Sequence, residues 1–439
     1  MILNDLLIKN WAQLGCRYLS QTTPKMARKI RILVIATNGW CAIGQFLSAL
    51  VQVGFDVAVL CPSGSPIGHV KKLSARYNYR SWRSHKCIKT AVADWSPDLL
   101  VCNDDRAVRD LHDMYSELCS EIGRLGTSGL RRLIEVSLGD SRSFATSRSK
   151  SGHISVAHEL GIVCPPTIVV NTYHEIERHL GRLTYPVLIK QDASWGGRGV
   201  RLAHDDDELR RAVLELSFPH DWPKSIKRVA ARAIRNLFAG WRHRLPQTLS
   251  IQPLIGGRPA NRAVVCWRGK LLAGISVEAL ETDSEFGPTT LARIIEHAEM
   301  AEAAERIVES QKLSGFVGFD FMLDHRNRAW FLEMNPRVTP VCHLRFKTPS
   351  LPAALFFELT GDHPKNDVRE VPREVVALFP NRVSKEASHP YFDDVPEDEP
   401  AFVNACRQPP RDIKWKKKFD VRFGGKAVNT IMPEGTNEN

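Results

Sequence analysis

The sequence lacks several signals that would restrict its function at once. Its ten cysteines, at 16, 41, 61, 87, 102, 119, 164, 266, 342 and 406, include no C-x2-C pair, which argues against a zinc ribbon. Several lie in apolar stretches such as LLVCN (99–103) and AVVCW (263–267), where free cysteine acts as a small hydrophobe, and they indicate a reducing, cytoplasmic setting. No apolar run reaches the ~18–20 residues that cross a bilayer. A G-x-G-x-x-G fingerprint is missing, and no serine or cysteine is arranged with histidine as a nucleophilic triad. No readable recognition motif accompanies the basic residues either, so nucleic acid is not an expected partner.

What is present is ordinary globular composition: 439 residues, 43% hydrophobic and 25% charged. At roughly 150 residues per domain the chain holds about three domains or subdomains. The net charge of +11 permits an acidic membrane surface or a phosphorylated ligand without choosing between them.

Residues 1–26 are a basic, loosely amphipathic segment, read either as a targeting segment or as sequence ahead of a start at Met26. Over 27–139 the pattern is a buried strand (RILVIA), a turn (TNGWCAIG), an amphipathic helix and a second strand (DVAVL), the βαβ rhythm of a parallel, Rossmann-like sheet. A strand at 97–103 then ends in Asp104 and Asp105.

A serine- and arginine-rich stretch at 138–151 marks the boundary of a second unit, 140–247. Its short strands, YPVLIK (185–190) and GVRLA (199–203), and short helices suggest antiparallel α+β structure. Within it, 220–244 reads as an inserted basic amphipathic helix, a surface for a membrane or an acidic protein or simply a solvated face. A third unit, 248–365, contains GPTTLARIIEHAEM (287–300), read as entering a helix. Beyond 366 periodicity is patchy and prolines accumulate, so 366–439 reads as an extension wrapping the body.

The stretch most informative about chemistry is GFVGFDFMLDHRNRAWFLEMNPRV (315–338), two apolar runs around a short polar segment and hence an antiparallel hairpin. Alternation puts Glu333, Asn335 and Arg337 on one face, and a four-residue loop at 325–328 sets Asp320 directly across from Glu333. Apposed carboxylates repel one another. Their placement makes sense around a divalent cation, Mg²⁺ or Mn²⁺, for which hard oxygen ligands are suited. Arg337 is then placed to stabilise charge on a transferring phosphoryl group.

In YPVLIKQDASWGGRGVRL (185–202), Lys190 ends a strand, and Ser194, Gly196, Gly197 and Gly199 belong to a loop able to close backbone N–H groups on phosphate oxygens.

The order Lys150, Lys190 with SWGGRG, SIQPLI before GG, then Asp320 and LEMNPR resembles the ATP-grasp superfamily, in particular its biotin carboxylase and carbamoyl-phosphate synthase large-subunit branch. The resemblance covers roughly 30–360. It implies a Rossmann-like pre-ATP-grasp domain followed by a two-subdomain ATP-grasp fold. It also implies that Lys150 and Lys190 contact ATP phosphates and that the backbone of Gln252, Pro253, Leu254 and Ile255 reads adenine. By the same resemblance Asp320, Glu333 and Asn335 are metal ligands, and Arg337 contacts the phosphate or the intermediate. Pro253 departs from the family, which usually has glutamate there, and Trp195 is bulky for its loop.

The activity implied is ATP-dependent ligation of a carboxylate to an amine or similar nucleophile, releasing ADP and phosphate. Alternatives are a component phosphorylating bicarbonate and a nucleotide-binding regulator without catalysis. Arg293 is a candidate for holding a substrate carboxylate, with Thr339 and His343 weaker ones. Small-molecule carboxylates and amines are the expected partners, with a homodimer as a further possibility.

Overall fold

The computed structural model describes residues 29–120, 127–192, 199–216, 244–284, 287–380 and 390–407. The N-terminal segment, Ser194, Gly196 and Gly197, the basic stretch before Arg244 and the basic run at 411–419 lie outside the described residues.

The first unit contains β1 (Arg31–Ile35), α1 (Gly44–Val53), β2 (Asp56–Cys61), β3 (Ala75–Asn78), α2 (Ser84–Trp95) and β4 (Leu99–Cys102). The four strands are all parallel, in the order β3-β2-β1-β4. Every residue of β1 after Arg31 is fully buried, as expected of a strand covered on both faces. α1 stops at Gly54, which takes the left-handed conformation (φ 115°) that glycine adopts without penalty. Two further helices, α3 (Asp105–Ser120) and α4 (Thr127–Leu138), complete the unit.

The chain then runs through α5 (Lys150–Glu159) into a small antiparallel sheet built from β5 (Ile168–Thr172), α6 (Tyr173–His179), β6 (Val187–Gln191), β7 (Val200–Ala203), α7 (Asp206–Leu216) and β8 (Arg244–Pro253). Its strand order is β5-β8-β6-β7. Arg244, expected at the end of a helix, is instead the first residue of β8, where it pairs with Thr172.

A seven-stranded sheet follows: β9 (Arg258–Trp267), β10 (Lys270–Thr282), β11 (Thr289–Ile295), α8 (Ala298–Gln311), β12 (Gly315–Leu323), β13 (Ala329–Asn335), α9 (Leu351–Thr360), β14 (Val375–Ala377), β15 (Phe392–Asp393) and finally α10 (Pro400–Arg407). The order is β13-β12-β9-β10-β11-β14-β15.

Two differences from the sequence reading concern this unit. Residues 289–295 form a strand, and the helix expected from Gly287 begins only at Ala298, with His297 accepting the Met300 N–H as its cap. The segment after 366 is not only a wrapping: β14 and β15 extend the sheet, and α10 docks on the N-terminal domain.

One hydrophobic core joins the first and third units. Val34, Phe46 and Leu50 pack in the same cluster as Val265, Phe316, Ile294 and Phe402. Phe46 and Phe316 meet edge to face at 4.7 Å, and burying each ring contributes about 2–3 kcal/mol. The N-terminal domain is thereby set firmly against the sheet that carries the hairpin.

Candidate active site

The hairpin of β12 and β13 pairs Gly318 with Asn335, Phe319 with Met334 and Asp320 with Glu333. Phe319, Phe321 and Phe331 face a core beneath α8, leaving Asp320 and Glu333 on the other face. A register shift follows Asp320, so the loop is one residue out of step with the simplest four-residue turn while the acidic pair keeps the expected pairing. Gly318 is required by close packing: a Cβ there would lie 2.3 Å from Thr339 Cγ2.

Both oxygens of Asp320 accept amide donors. Asn261 Nδ2, from the neighbouring β9, donates at 2.6 Å, and Asn335 Nδ2 donates at 2.8 Å. Burial and the charge of Glu333 raise the Asp320 pKa above the ordinary carboxylate value, while the two amides oppose the shift. Burial acts the same way on Glu333, but Lys150 and Lys190 outweigh it and hold its carboxyl well below the usual range.

Lys150 is the first residue of α5, and its Nζ lies 3.0 Å from Glu333 Oε2. The start of that helix is fixed in two ways. Ser149 accepts the Gly152 N–H as N-cap, and the Ser149 and Ser151 hydroxyls donate to Asp192 at 2.7 and 2.9 Å. Asp192 lies just past β6, so it links the small sheet to the helix that presents Lys150. On α5, His153 Nδ1 accepts the Met334 N–H at 3.3 Å, while Nε2 meets the Ser147 carbonyl at 3.2 Å. Burial favours the neutral ring.

Lys190 is buried on β6 between Ser250 of β8 and Val200 of β7. Burial of the ammonium lowers its pKa to about 8; Lys150 adds to the effect, and Glu333 and Asp320 oppose it.

Arg337 is held from three sides. Its Nε lies 3.1 Å from Asp105 Oδ2, Nη2 donates to Asn335 Oδ1 at 3.0 Å, and Nη1 donates to the Val338 carbonyl at 3.2 Å. The Val338 N–H in turn donates to the carbonyl of Cys102 at the end of β4. Asp105, Arg109, Arg148, Lys150, Asp192, Glu333, Asn335 and Arg337 all line one cleft between the N-terminal domain and the hairpin.

In the segment 252–255, Gln252 is buried with Nε2 donating to Thr167 Oγ1 at 2.8 Å. The Leu254 N–H donates to the Pro186 carbonyl at 3.1 Å, and the Leu254 side chain is exposed. Of the glycine-rich loop, Gly199 is described, its carbonyl accepting the Gln191 N–H.

The substrate candidates lie elsewhere. Arg293 is on β11 opposite Glu278 and pairs with it at 2.9 Å; Glu278 also takes Arg258 at 2.7 Å. Its strand neighbours Ala292 and Ile294 share a core with Phe316, which is on the Asp320 face, so Arg293 occupies the opposite face of the sheet. Thr339 is buried under the hairpin with its hydroxyl against Cys342 Sγ. His343 is buried as well, with Nε2 2.8 Å from Asp394.

Sequence reasoning missed Asn261, Asp105 and Asp192. Asn261 alone leaves a signal: a polar residue in phase with Ala263 and Val265 along an otherwise apolar strand. Among the described residues no three or more His, Cys, Asp and Glu side chains gather as a metal-binding group, so the candidate cation donors are two carboxylates and an amide oxygen.

This arrangement of a parallel N-terminal sheet, a small antiparallel sheet and a larger sheet with an acidic hairpin is the ATP-grasp fold. Residues 150–219, which include Lys150 and Lys190, match the family described as carbamoyl-phosphate synthase L chain, ATP binding domain.

Among curated proteins, the chain is 20% identical over 245 residues to the C-terminal section of the carbamoyl phosphate synthase large chain of Aquifex aeolicus, covering 56% of this chain and 41% of that protein. It is 26% identical over 176 residues to the human mitochondrial propionyl-CoA carboxylase alpha chain, covering 39% and 22%. The chain thus spans less than half the length of these relatives.

The fold is shared with the L-amino acid ligase of Bacillus licheniformis (TM-score 0.53, 11% identity, 79% of each chain). It is shared too with the biotin carboxylase domain of Hydrogenobacter thermophilus 2-oxoglutarate carboxylase (TM-score 0.54, 14% identity, 78% of this chain and 72% of that one).

Proposed function

We propose that the protein is an ATP-dependent ligase that activates a substrate carboxylate as an acyl phosphate. An amine or similar nucleophile then displaces the phosphate, and ADP and phosphate leave. The observation that carries this reading is the gathering of Asp320, Glu333, Asn335 and Arg337 with Lys150 and Lys190 from the small-sheet unit and Asp105 from the N-terminal unit, so that three units of the fold meet at one place.

In this reading Asp320, Glu333 and Asn335 hold Mg²⁺ or Mn²⁺. The fit is supported by two half-buried carboxylates apposed across one strand pair, whose repulsion a divalent cation relieves. When bound, the cation neutralises phosphate charge and polarises the transferring group.

Lys150 and Lys190 bind ATP phosphates, and Lys150 meanwhile neutralises Glu333 in the nucleotide-free protein. The backbone of Gln252 to Ile255 lies along adenine, and Ser194, Gly196, Gly197 and Gly199 close over the phosphates. Arg337, held by Asp105, stabilises charge on the phosphoryl group as it leaves ADP. The reaction needs no protein nucleophile; positioning and charge neutralisation supply the catalysis.

A second reading takes bicarbonate as the carboxylate. It is favoured by the likeness to a biotin carboxylase domain whose structure holds MgADP and bicarbonate. That structure is of a dimer, which supports a homodimer here. No helix among the described residues is long and apolar enough to cross a membrane, and all nine described cysteines are free, which supports a cytoplasmic setting.

A coupled ADP-release screen over carboxylates and amines, with mass analysis of products, tests the ligase reading. Carboxylate-dependent ADP release with a new amide product is expected. Stimulation by bicarbonate alone selects the second reading, and tight ATP binding without ADP formation across the panel overturns both.

A further inference from the structure

The N-terminal domain carries a ridge of cations that the cleft does not use. After β3 the chain makes a single 3-10 turn at Ser81–Arg83 and enters α2. That helix buries Ile88, Ala91, Val92 and Trp95 on one face. On the outer face Lys86 and Lys89 are exposed neighbours one turn apart, and Arg83, the last residue of the 3-10 turn, is exposed just ahead of the helix. Arg80 is exposed beside them, and Trp82 at the tip of the turn is 74% exposed, more than any other large hydrophobic residue described.

The turn that begins the ridge is fixed, and the cations of the ridge form no ion pairs among the described residues. The Arg106 guanidinium donates to the Ser81 carbonyl at 3.2 Å and fixes the turn. Nearby acids are already engaged: Glu117 by His85 at 3.1 Å, Asp110 by the Tyr79 hydroxyl and Asp94 by the Tyr77 hydroxyl. None of Arg80, Arg83, Lys86 and Lys89 pairs with an acidic side chain among the described residues.

We propose that this ridge docks the protein on an anionic lipid surface. The Trp82 indole seats at headgroup level, where its apolar body and polar N–H are both accommodated. Arg80, Arg83, Lys86 and Lys89 reach lipid phosphates and carboxylates on their long stems. A turn tip and the outer face of a helix offer no groove for a peptide strand, whereas a fluid lipid plane adapts to a projecting indole and a row of unpaired cations.

The test is co-sedimentation of the full chain with phosphatidylcholine vesicles with and without phosphatidylserine. Binding is expected only with phosphatidylserine and is expected to weaken as salt rises. Trp82→Ala and the double variant Arg83→Glu, Lys86→Glu should each reduce partitioning about tenfold, with far-UV circular dichroism and melting temperature unchanged. Arg369→Glu, on another exposed position, should leave binding intact. Failure to bind phosphatidylserine vesicles, or binding that survives both ridge variants, overturns the proposal. So does Trp82-dependent capture of a polyglutamate peptide without vesicle binding, which would make the ridge a protein-binding surface.

Discussion

Asp105 of the N-terminal domain lies 3.1 Å from the Nε of Arg337, which follows the acidic hairpin. The pair spans two units that share a core, and it fixes the guanidinium next to Asn335. The N-terminal domain therefore contributes to the candidate site and is not merely attached to it. Asp105→Asn should leave ATP affinity within about twofold and lower carboxylate-dependent ADP release about 10–100-fold, the equivalent of the ~1.5–3 kcal/mol carried by a hydrogen bond to a charged group. Isothermal titration and steady-state kinetics separate the two effects. A loss confined to ATP affinity would contradict the assignment of Arg337 to the transferring group.

The Lys150–Glu333 pair makes a prediction about stability without nucleotide. Lys150→Met leaves Glu333 with Lys190 as its main counter-charge and should cost about 2 kcal/mol, less than the ~3–5 kcal/mol of a fully buried pair because Glu333 keeps some solvent contact. Urea denaturation measures this. The Lys150→Met, Glu333→Gln double variant should recover most of the loss while staying inactive.

Lys190 gives a pH dependence whose sign is fixed. Its pKa in the fold is about 8, lowered by burial from that of free lysine, so it is charged below about 8 and loses its charge above. ATP affinity should fall as pH rises through about 8, and Lys190→Arg should remove that step, since arginine stays charged. For the nucleotide-free fold the sign reverses. The unfolded chain binds the proton more tightly, so stability contributed by this group should rise between about pH 8 and the free-lysine value. Titration of ATP binding over pH 6.5–9.5 checks the first expectation.

Gly44 and Phe402 tie the chain's late helix to its first. A Cβ on Gly44 would come within 2.0 Å of the Phe402 ring. Gly44→Ala, which in an open helix adds about 1 kcal/mol of stability, should instead remove about 1–3 kcal/mol by overpacking. Limited proteolysis should then release the segment after 390 more readily. Unchanged protease resistance with a raised melting temperature would show that α10 is not docked as described.

Much of the site was legible because it is local. Two-residue alternation and a short loop place Asp320 across from Glu333, and even a register shift one residue later leaves that pair intact. The βαβ rhythm likewise marks the parallel sheet, since its buried strands are continuous apolar runs. What was not legible depends on contacts far apart in sequence. Asp105 reads only as one of two acids at the end of a strand until the fold brings Arg337 to it. Arg293 reads as a substrate ligand because its segment, taken as the start of a helix, lies in sequence between the adenine strand and the metal hairpin; in the fold it sits on a strand, paired with Glu278. β14 and β15, at three and two residues, are too short to carry a period and form because β11 offers an open edge to β14, and β14 in turn to β15.

The central claim is that ATP is spent on making an acyl phosphate. The most direct measurement uses the carboxylate found by the ADP-release screen, labelled with ¹⁸O in its carboxyl group, and follows the phosphate released. Transfer of one ¹⁸O to each phosphate, lost together with ADP formation in Glu333→Gln, is the predicted result. Phosphate released without label, with the carboxylate recovered unligated and both its labelled oxygens retained, would contradict the account.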